Sequence, residues 1–126
     1  MRYLLDTSFA IDQLRGERDA TLRFRRFFED GDDVFINEVV VAELATGSPT
    51  PDDPALHALL EPLEFVQPAV DAALLAGRWR REARDRGHTL SLPDALIAAA
   101  AHSLGAPVVT RNRRDFSLTP VRVETY

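Results

Sequence analysis

The stretch Arg2-Tyr3-Leu4-Leu5-Asp6-Thr7-Ser8 decides the fold. Tyr3, Leu4 and Leu5 form a short apolar run bounded by charge, which reads as a buried strand. The run stops on a carboxylate, and Thr7 to Leu14 then reads as a short helix ended near Gly16. A buried strand feeding directly into a helix is the opening of an α/β fold. Such folds place their chemistry at the carboxyl ends of the strands. Asp6 stands at that position, where it is also suited to cap the helix that follows.

The remaining chain repeats the alternation. Asp19 or Thr21 can cap a helix through Phe28, with Leu22, Arg25, Arg26 and Glu29 at helical spacing. Asp30 to Asp33 is a turn, Val34 to Ile36 a strand, and Asn37 an N-cap for a helix from Glu38 to Thr46, ended by Gly47. A Pro-rich loop precedes a helix near Ala55–Leu60 and a short strand at Glu64–Val66. Val70 to Arg86 reads as a long amphipathic helix stopped by Gly87. Leu92 to Leu104 reads as an alanine-rich helix ended by Gly105. Val108 to Thr110 and Val121 to Val123 are the last strand candidates. Strands alternating with helices predict a central parallel sheet of four to five strands flanked by helices on both faces.

The 126 residues fit one domain, and 45% hydrophobic with 28% charged residues is the balance of an ordinary globular protein. The absence of cysteine excludes disulfides, thiolate metal sites and cysteine nucleophiles, and suits a cytoplasmic location. The longest apolar stretch, Ala95 to Ala101, is far short of the ~20 residues a membrane span needs. No secretory signal is expected, since Asp6 ends the first apolar run.

Three further acids stand in positions like that of Asp6. Glu43 shares a helix face with Val40, Leu44 and Gly47, where a carboxylate must be paired, protonated, metal-bound or turned out at the rim. Asp94 follows Ser91-Leu92-Pro93 as the N3 residue of a capping-box variant, and the helix N-terminus favours its ionised form. Asp115 lies in a loop leaving a strand, Thr110-Arg111-Asn112-Arg113-Arg114-Asp115-Phe116, which Phe116 would anchor. Each acid alone has a local structural explanation. Together they lie where a parallel sheet would expose them along one edge. Carboxylates so grouped raise one another's pKa unless a divalent cation compensates. All-oxygen donors without cysteine or clustered histidine favour Mg²⁺ or Mn²⁺ over zinc.

The net charge of −5 gives little global steering toward nucleic acid. All fifteen basic residues, however, are arginine, and they cluster at Arg23/Arg25/Arg26, Arg78/Arg80/Arg81/Arg84/Arg86 and Arg111/Arg113/Arg114. Arginine suits bidentate phosphate contacts. Arg111, Arg113 and Arg114, beside Asp115, are the candidates for phosphate contacts, such as those of a nucleic-acid backbone, and the first two clusters read as solvated helix faces. His57, His88 and His102 show no ligand spacing, and Trp79 suits a core or dimer interface better than a base-stacking role.

Leu5-Asp6-Thr7-Ser8, Glu43-Leu44-Ala45-Thr46-Gly47, Asp94 to Ala101 and Thr110 to Phe116 together resemble the PIN-domain proteins of the VapC toxin type, nearly from end to end. The resemblance implies a single PIN domain over residues 1–126, with an acidic pocket at the carboxyl edge of its sheet. It implies a metal-dependent endoribonuclease that hydrolyses RNA phosphodiesters with metal-activated water. Asp6, Glu43, Asp94 and Asp115 match the family's four acidic positions, and Thr110 and Asn112 its supporting polar positions. The implied cofactor is Mg²⁺, with Mn²⁺ able to substitute. The implied partners are an RNA substrate, a small VapB-like antitoxin and a second copy of the chain in a homodimer, with no membrane. A PIN nuclease for RNA processing without an antitoxin, and a non-catalytic binding module, are the alternative readings. A phosphoryl-accepting receiver domain would need a lysine near its acids, and the chain has none.

Overall fold

A computed structural model describes residues 1–126. In chain order the elements are β1 (Arg2–Leu5), α1 (Thr7–Leu14), α2 (Arg18–Glu29), β2 (Asp33–Asn37), α3 (Glu38–Thr46), α4 (Pro54–Leu60) and β3 (Glu64–Val66). They continue with α5 (Val70–Asp85), α6 (Leu92–Leu104), β4 (Val108–Val109), a 3₁₀ turn (Arg113–Phe116) and β5 (Val123–Glu124). The five strands form one sheet in the order β3-β2-β1-β4-β5, and every pair is parallel. The expected α/β architecture is therefore present with five strands.

Strand order matters for the site. The chain builds outward from β1 through β2 to β3, then crosses back to lay β4 and β5 on the other side. The order reverses between β1 and β4, whose ends are in register as Leu5 and Val109. Ligands of open α/β sheets bind at such a switch point, outside the carboxyl ends of the strands. Asp6 and Thr110 are the next residues of these two strands.

Side chains alternate across the strands. Tyr3, Leu5, Val34 and Val109 pack with Phe9, Ala20 and Phe27 on one face, under α1 and α2. Leu4 and Val108 face a larger core built from α3, α4, α5 and α6. Trp79 lies in that core, 4% exposed and edge-on to His102 at 5.7 Å, so it is a packing residue. The alanines of α6 explain how that helix comes close to the sheet. Ala95, Ile97, Ala98, Ala99, Ala100 and Ala101 are all buried, and five of those six lack a bulky side chain.

The helix ends follow their local chemistry. The Asn37 side chain accepts from the Val40 N–H at 3.2 Å, and Ser91 Oγ accepts from the Asp94 N–H at 3.2 Å. Gly87 and Gly105 carry positive φ where α5 and α6 end. The cap of α2 differs from expectation: Glu17 accepts from the Ala20 N–H at 3.0 Å, rather than Asp19 or Thr21 acting as cap. The helix thus starts earlier than expected, at Arg18, and the Glu17 side chain reaches its N3 amide. The sheet edge also differs, since β4 stops at Val109 and β5 begins at Val123. Thr110, the residue after β4, is buried, donates its N–H to the Glu124 carbonyl at 3.0 Å and turns its side chain to the site. No helix is long and apolar enough to cross a membrane.

Phe27 is fully buried, 4.8 Å from the Tyr3 ring and 6.1 Å from Phe9, with the Arg23 guanidinium 4.5 Å from its own ring. Truncating it removes the aromatic keystone of the smaller core. Phe27→Ala is expected to cost about 3–5 kcal/mol in urea unfolding, while Leu22→Ala, on a half-exposed position of the same helix, should change stability little.

Candidate active site

The site begins where β1 stops. Asp6 is only 5% exposed and occupies the N-cap position of α1, yet its side chain caps no helix amide. Its Oδ2 instead accepts from Thr110 Oγ1 at 2.7 Å and from Ser8 Oγ at 2.9 Å. Each hydroxyl has one proton, so two donations to Asp6 make the 3.1 Å approach of Ser8 to Thr110 a contact between acceptors. The hydroxyls in turn accept from backbone: Arg111 N–H to Ser8 Oγ at 3.1 Å, and Asn112 N–H to Thr110 Oγ1 at 2.9 Å. Two relays thus run from the loop backbone through a hydroxyl to one oxygen of Asp6. Asp6 Oδ1 has no protein donor.

The same loop is held from its other side by Asp12, a residue the sequence reading did not single out. Asp12 is 5% exposed, one helical turn after Ser8 on α1. It accepts from Arg111 Nη1 at 2.5 Å and from the Tyr126 hydroxyl. Burial and the Asp12 charge push the Tyr126 phenol well above its ordinary pKa, so it remains a donor. The i, i+4 spacing of Ser8 and Asp12 was the available signal. Arg111 is therefore committed to an ion pair, whereas Arg113 and Arg114 are exposed and form none.

Of the alternatives open to Glu43, the structure shows the rim position. It lies exposed on α3, where Oε1 accepts from Thr7 Oγ1 at 2.7 Å. Thr7 is the residue after Asp6, so this bond fixes Glu43 beside the end of β1. Asp115 is also exposed, on the 3₁₀ turn that Phe116, 1% exposed, pins to the core. Asn112 contributes its backbone, through Thr110.

Asp94, half-buried in the first turn of α6, registers all the others. Its pKa rises from 3.8 to about 6, first through burial, then through the charges of Asp115, Asp6 and Glu43, with the Ser91 hydroxyl opposing. The rise expected of grouped carboxylates is thus present at Asp94, despite its place in the first turn of a helix. Acids from three other segments thus act electrostatically on Asp94. As placed, however, no three histidine, aspartate or glutamate side chains are close enough to hold one ion together. A hard divalent cation does not require that. Mg²⁺ keeps several waters and takes one or two carboxylates directly. The all-carboxylate donor set, with Asp6 Oδ1 free, fits such an ion.

The family model of the PIN domain matches residues 3–121. This chain belongs to the PIN-domain family. Within it the chain is of the VapC type. It is 32% identical over 117 residues to ribonuclease VapC19 of Mycobacterium tuberculosis, covering 93% of this chain and 94% of that protein. Its fold superposes on that of VapBC2 from Rickettsia felis, solved with a promoter DNA fragment, with a TM-score of 0.87 at 24% identity, over 100% of this chain and 99% of that one. DNA-bound VapBC from Salmonella typhimurium gives a TM-score of 0.81 at 26% identity, over 99% and 98%.

The raised pKa of Asp94 in this PIN domain fixes the sign of a pH dependence. Its protonated form is favoured by the fold, so its contribution to stability is full below about 3.8 and is lost as pH rises through about 6. Without divalent cation, Asp94→Asn should melt higher than wild type at pH 7–8, with the difference vanishing near pH 4. A second expectation concerns Asp12. Removing a buried acceptor of charged hydrogen bonds costs about 1.5–3 kcal/mol. Asp12→Ala should therefore raise amide hydrogen exchange at Arg111 and Asn112 by roughly tenfold or more.

Proposed function

We propose that this protein is a divalent-metal-dependent endoribonuclease and the toxin of a toxin–antitoxin pair. The observation that carries the reading is the convergence of the charges of Asp6, Glu43 and Asp115 on Asp94, whose pKa they help to raise, near the β1/β4 switch point. Carboxylates brought within electrostatic reach of one another in a chain without lysine make a poor structural device and a good cation site. The ribonuclease name of the 32%-identical relative supports RNA as the substrate.

In this reading the single PIN domain spans residues 1–126. Asp6 and Asp94 hold the ion, directly or through water, and Glu43 and Asp115 complete its surroundings. Bound Mg²⁺ or Mn²⁺ would supply Lewis-acid polarisation of the phosphate and a water of lowered pKa. The chain's own residues do the positioning. Thr110 and Ser8 keep Asp6 Oδ2 occupied, which aims Oδ1 at the ion. Thr7 orients Glu43. Asn112 braces Thr110 through its backbone. Arg113 and Arg114, free of ion pairs, reach the RNA phosphates, with Arg111 adding its charge from the Asp12 pair.

The partner in this reading is a small VapB-like antitoxin, which the VapBC complexes among the chain's structural relatives support. The working form is a cytoplasmic homodimer.

The test is cleavage of a broad RNA pool by purified, antitoxin-free protein in Mg²⁺, Mn²⁺ and EDTA. Cleavage in either metal, none in EDTA, and at least a hundredfold loss in Asp6→Asn with unchanged circular dichroism is the expected result. In parallel, millimolar Mg²⁺ should raise the wild-type melting temperature and leave Asp94→Asn unmoved. Metal-independent cleavage, or cleavage surviving in Asp6→Asn, would refute the reading.

A further inference from the structure

Away from the four acids, the exposed side of α5 carries a cleft of about 290 Å³ lined by Gly77, Arg80, Arg81, Arg84, His88 and the segment Thr89-Leu90. We propose that this cleft binds the phosphate backbone of single-stranded RNA next to the cleavage site. The proposal rests on the nuclease reading for the identity of its ligand.

The cleft breaks three local rules on a helix that had no structural need to break them. Gly77 sits in the interior of a 16-residue helix, where glycine costs stability relative to alanine. A Cβ built on Gly77 would meet nothing within 4 Å, so close packing does not demand the glycine. What the glycine does is leave the cleft floor low. Next, Arg80 and Arg84 stand at i, i+4, and Arg81 and Arg84 at i, i+3, spacings at which like charges repel. Finally, these charges are left unneutralised in a protein of net charge −5. Arg81 and Arg84 make no ion pair, although Asp85 is four residues from Arg81. The neighbouring pair uses Arg78 with Glu82, at 3.5 Å.

Helical spacing puts Gly77, Arg80, Arg81 and Arg84 in one stripe, flanking the buried side of Ala76, Trp79 and Ala83, and His88 lines the cleft from beyond the end of the helix. Arg80 braces the stripe by donating from Nε to the Leu90 carbonyl at 3.0 Å, which ties α5 to the segment entering α6. That leaves Arg81 and Arg84 as unengaged guanidinium groups, whose planar donors match phosphate oxygens. Location then selects the ligand. Leu90, on the wall of the cleft, is four residues before Asp94, so their Cα atoms lie within at most about 14 Å of each other. A strand cleaved at the acids has its neighbouring phosphates within reach of this cleft. An acidic protein segment would satisfy the same charges without needing to lie beside the acidic pocket.

The experiment is fluorescence anisotropy with a labelled mixed-sequence single-stranded RNA, on protein carrying Asp6→Asn so that binding is read without cleavage. Adding Arg81→Ala and Arg84→Ala should weaken affinity at least tenfold at low salt. It should also flatten the log–log salt dependence by about 1.4, at ~0.7 per phosphate contact on a single strand. The melting temperature should hold, since both side chains are exposed and mutually repelling. Gly77→Leu, which keeps every arginine and fills the floor, should also weaken binding. Arg25→Ala with Arg26→Ala, an equal charge change on α2, should alter affinity less than threefold.

Equal losses in the α2 control, unchanged affinity in the Arg81/Arg84 variant, or no RNA affinity in the parent would each overturn the proposal. So would unchanged RNA affinity together with weakened binding of a polyglutamate peptide, which would mark a protein-docking cleft. Cleavage is scored separately. Metal-dependent cutting with no effect of the arginines refutes the cleft and spares the nuclease. Loss of RNA affinity in a protein that never cuts does the reverse.

Discussion

One carboxylate oxygen, Asp6 Oδ2, closes the site. It accepts two hydroxyls, one from the first turn of α1 and one from the end of β4, whose Cα atoms belong to segments 102 residues apart in sequence. Burial strengthens these bonds and makes each partner costly to lose. Because the hydroxyls accept backbone amides from Arg111 and Asn112, the carboxylate also dictates the path of the loop carrying Arg113, Arg114 and Asp115. Asp12 fixes the same loop from below, through Arg111. The geometry of the acidic pocket is thus set at the seam between β1 and β4 and propagated outward.

Much of this was legible in the chain. Thr7–Leu14, Glu38–Thr46 and Leu92–Leu104 are helices with the bounds their caps and breakers indicate, because Asn37, Ser91 and Gly105 act locally. The parallel sheet was legible from alternation. Less legible was anything decided by tertiary reach. Glu17 takes the α2 cap because its longer side chain can, a choice that propensity does not rank. Glu43 looked buried by periodicity, but α3 exposes that face beside the strand ends, and Thr7 supplies its partner. Asp12 was passed over because its spacing from Ser8 marks only a shared face of α1, not that Arg111 and Tyr126, about a hundred residues on, will converge upon it.

The distribution of charge explains why an acidic protein can be read as an RNA enzyme at all. Long-range attraction from a net charge of −5 is unfavourable, so any affinity has to come from short-range, geometrically specific contacts. The exclusive use of arginine suits that requirement, since guanidinium groups bind phosphate by fixed bidentate geometry as well as by charge. Arginines are spent in two ways. Arg23, Arg80 and Arg111 are tied down, to Glu124, to the Leu90 carbonyl and to Asp12, and they stiffen the frame. Arg81, Arg84, Arg113 and Arg114 are left without ion pairs.

The free set brackets the acids in sequence, Arg81 and Arg84 before Asp94, Arg113 and Arg114 before Asp115. Carboxylates that repel one another and arginines that lack acids are both locally unfavourable, and each would be relieved most simply by pairing with the other. The fold keeps them apart instead. Asp94 remains at a raised pKa while the unengaged guanidinium groups of Arg81 and Arg84 stand on α5, ten or more residues away in sequence. A chain that withholds so available a neutralisation leaves its anionic pocket open to a cation and its cationic rims open to an anion. In the proposed function, a phosphodiester strand lying over a cation held by the pocket would answer both demands at once.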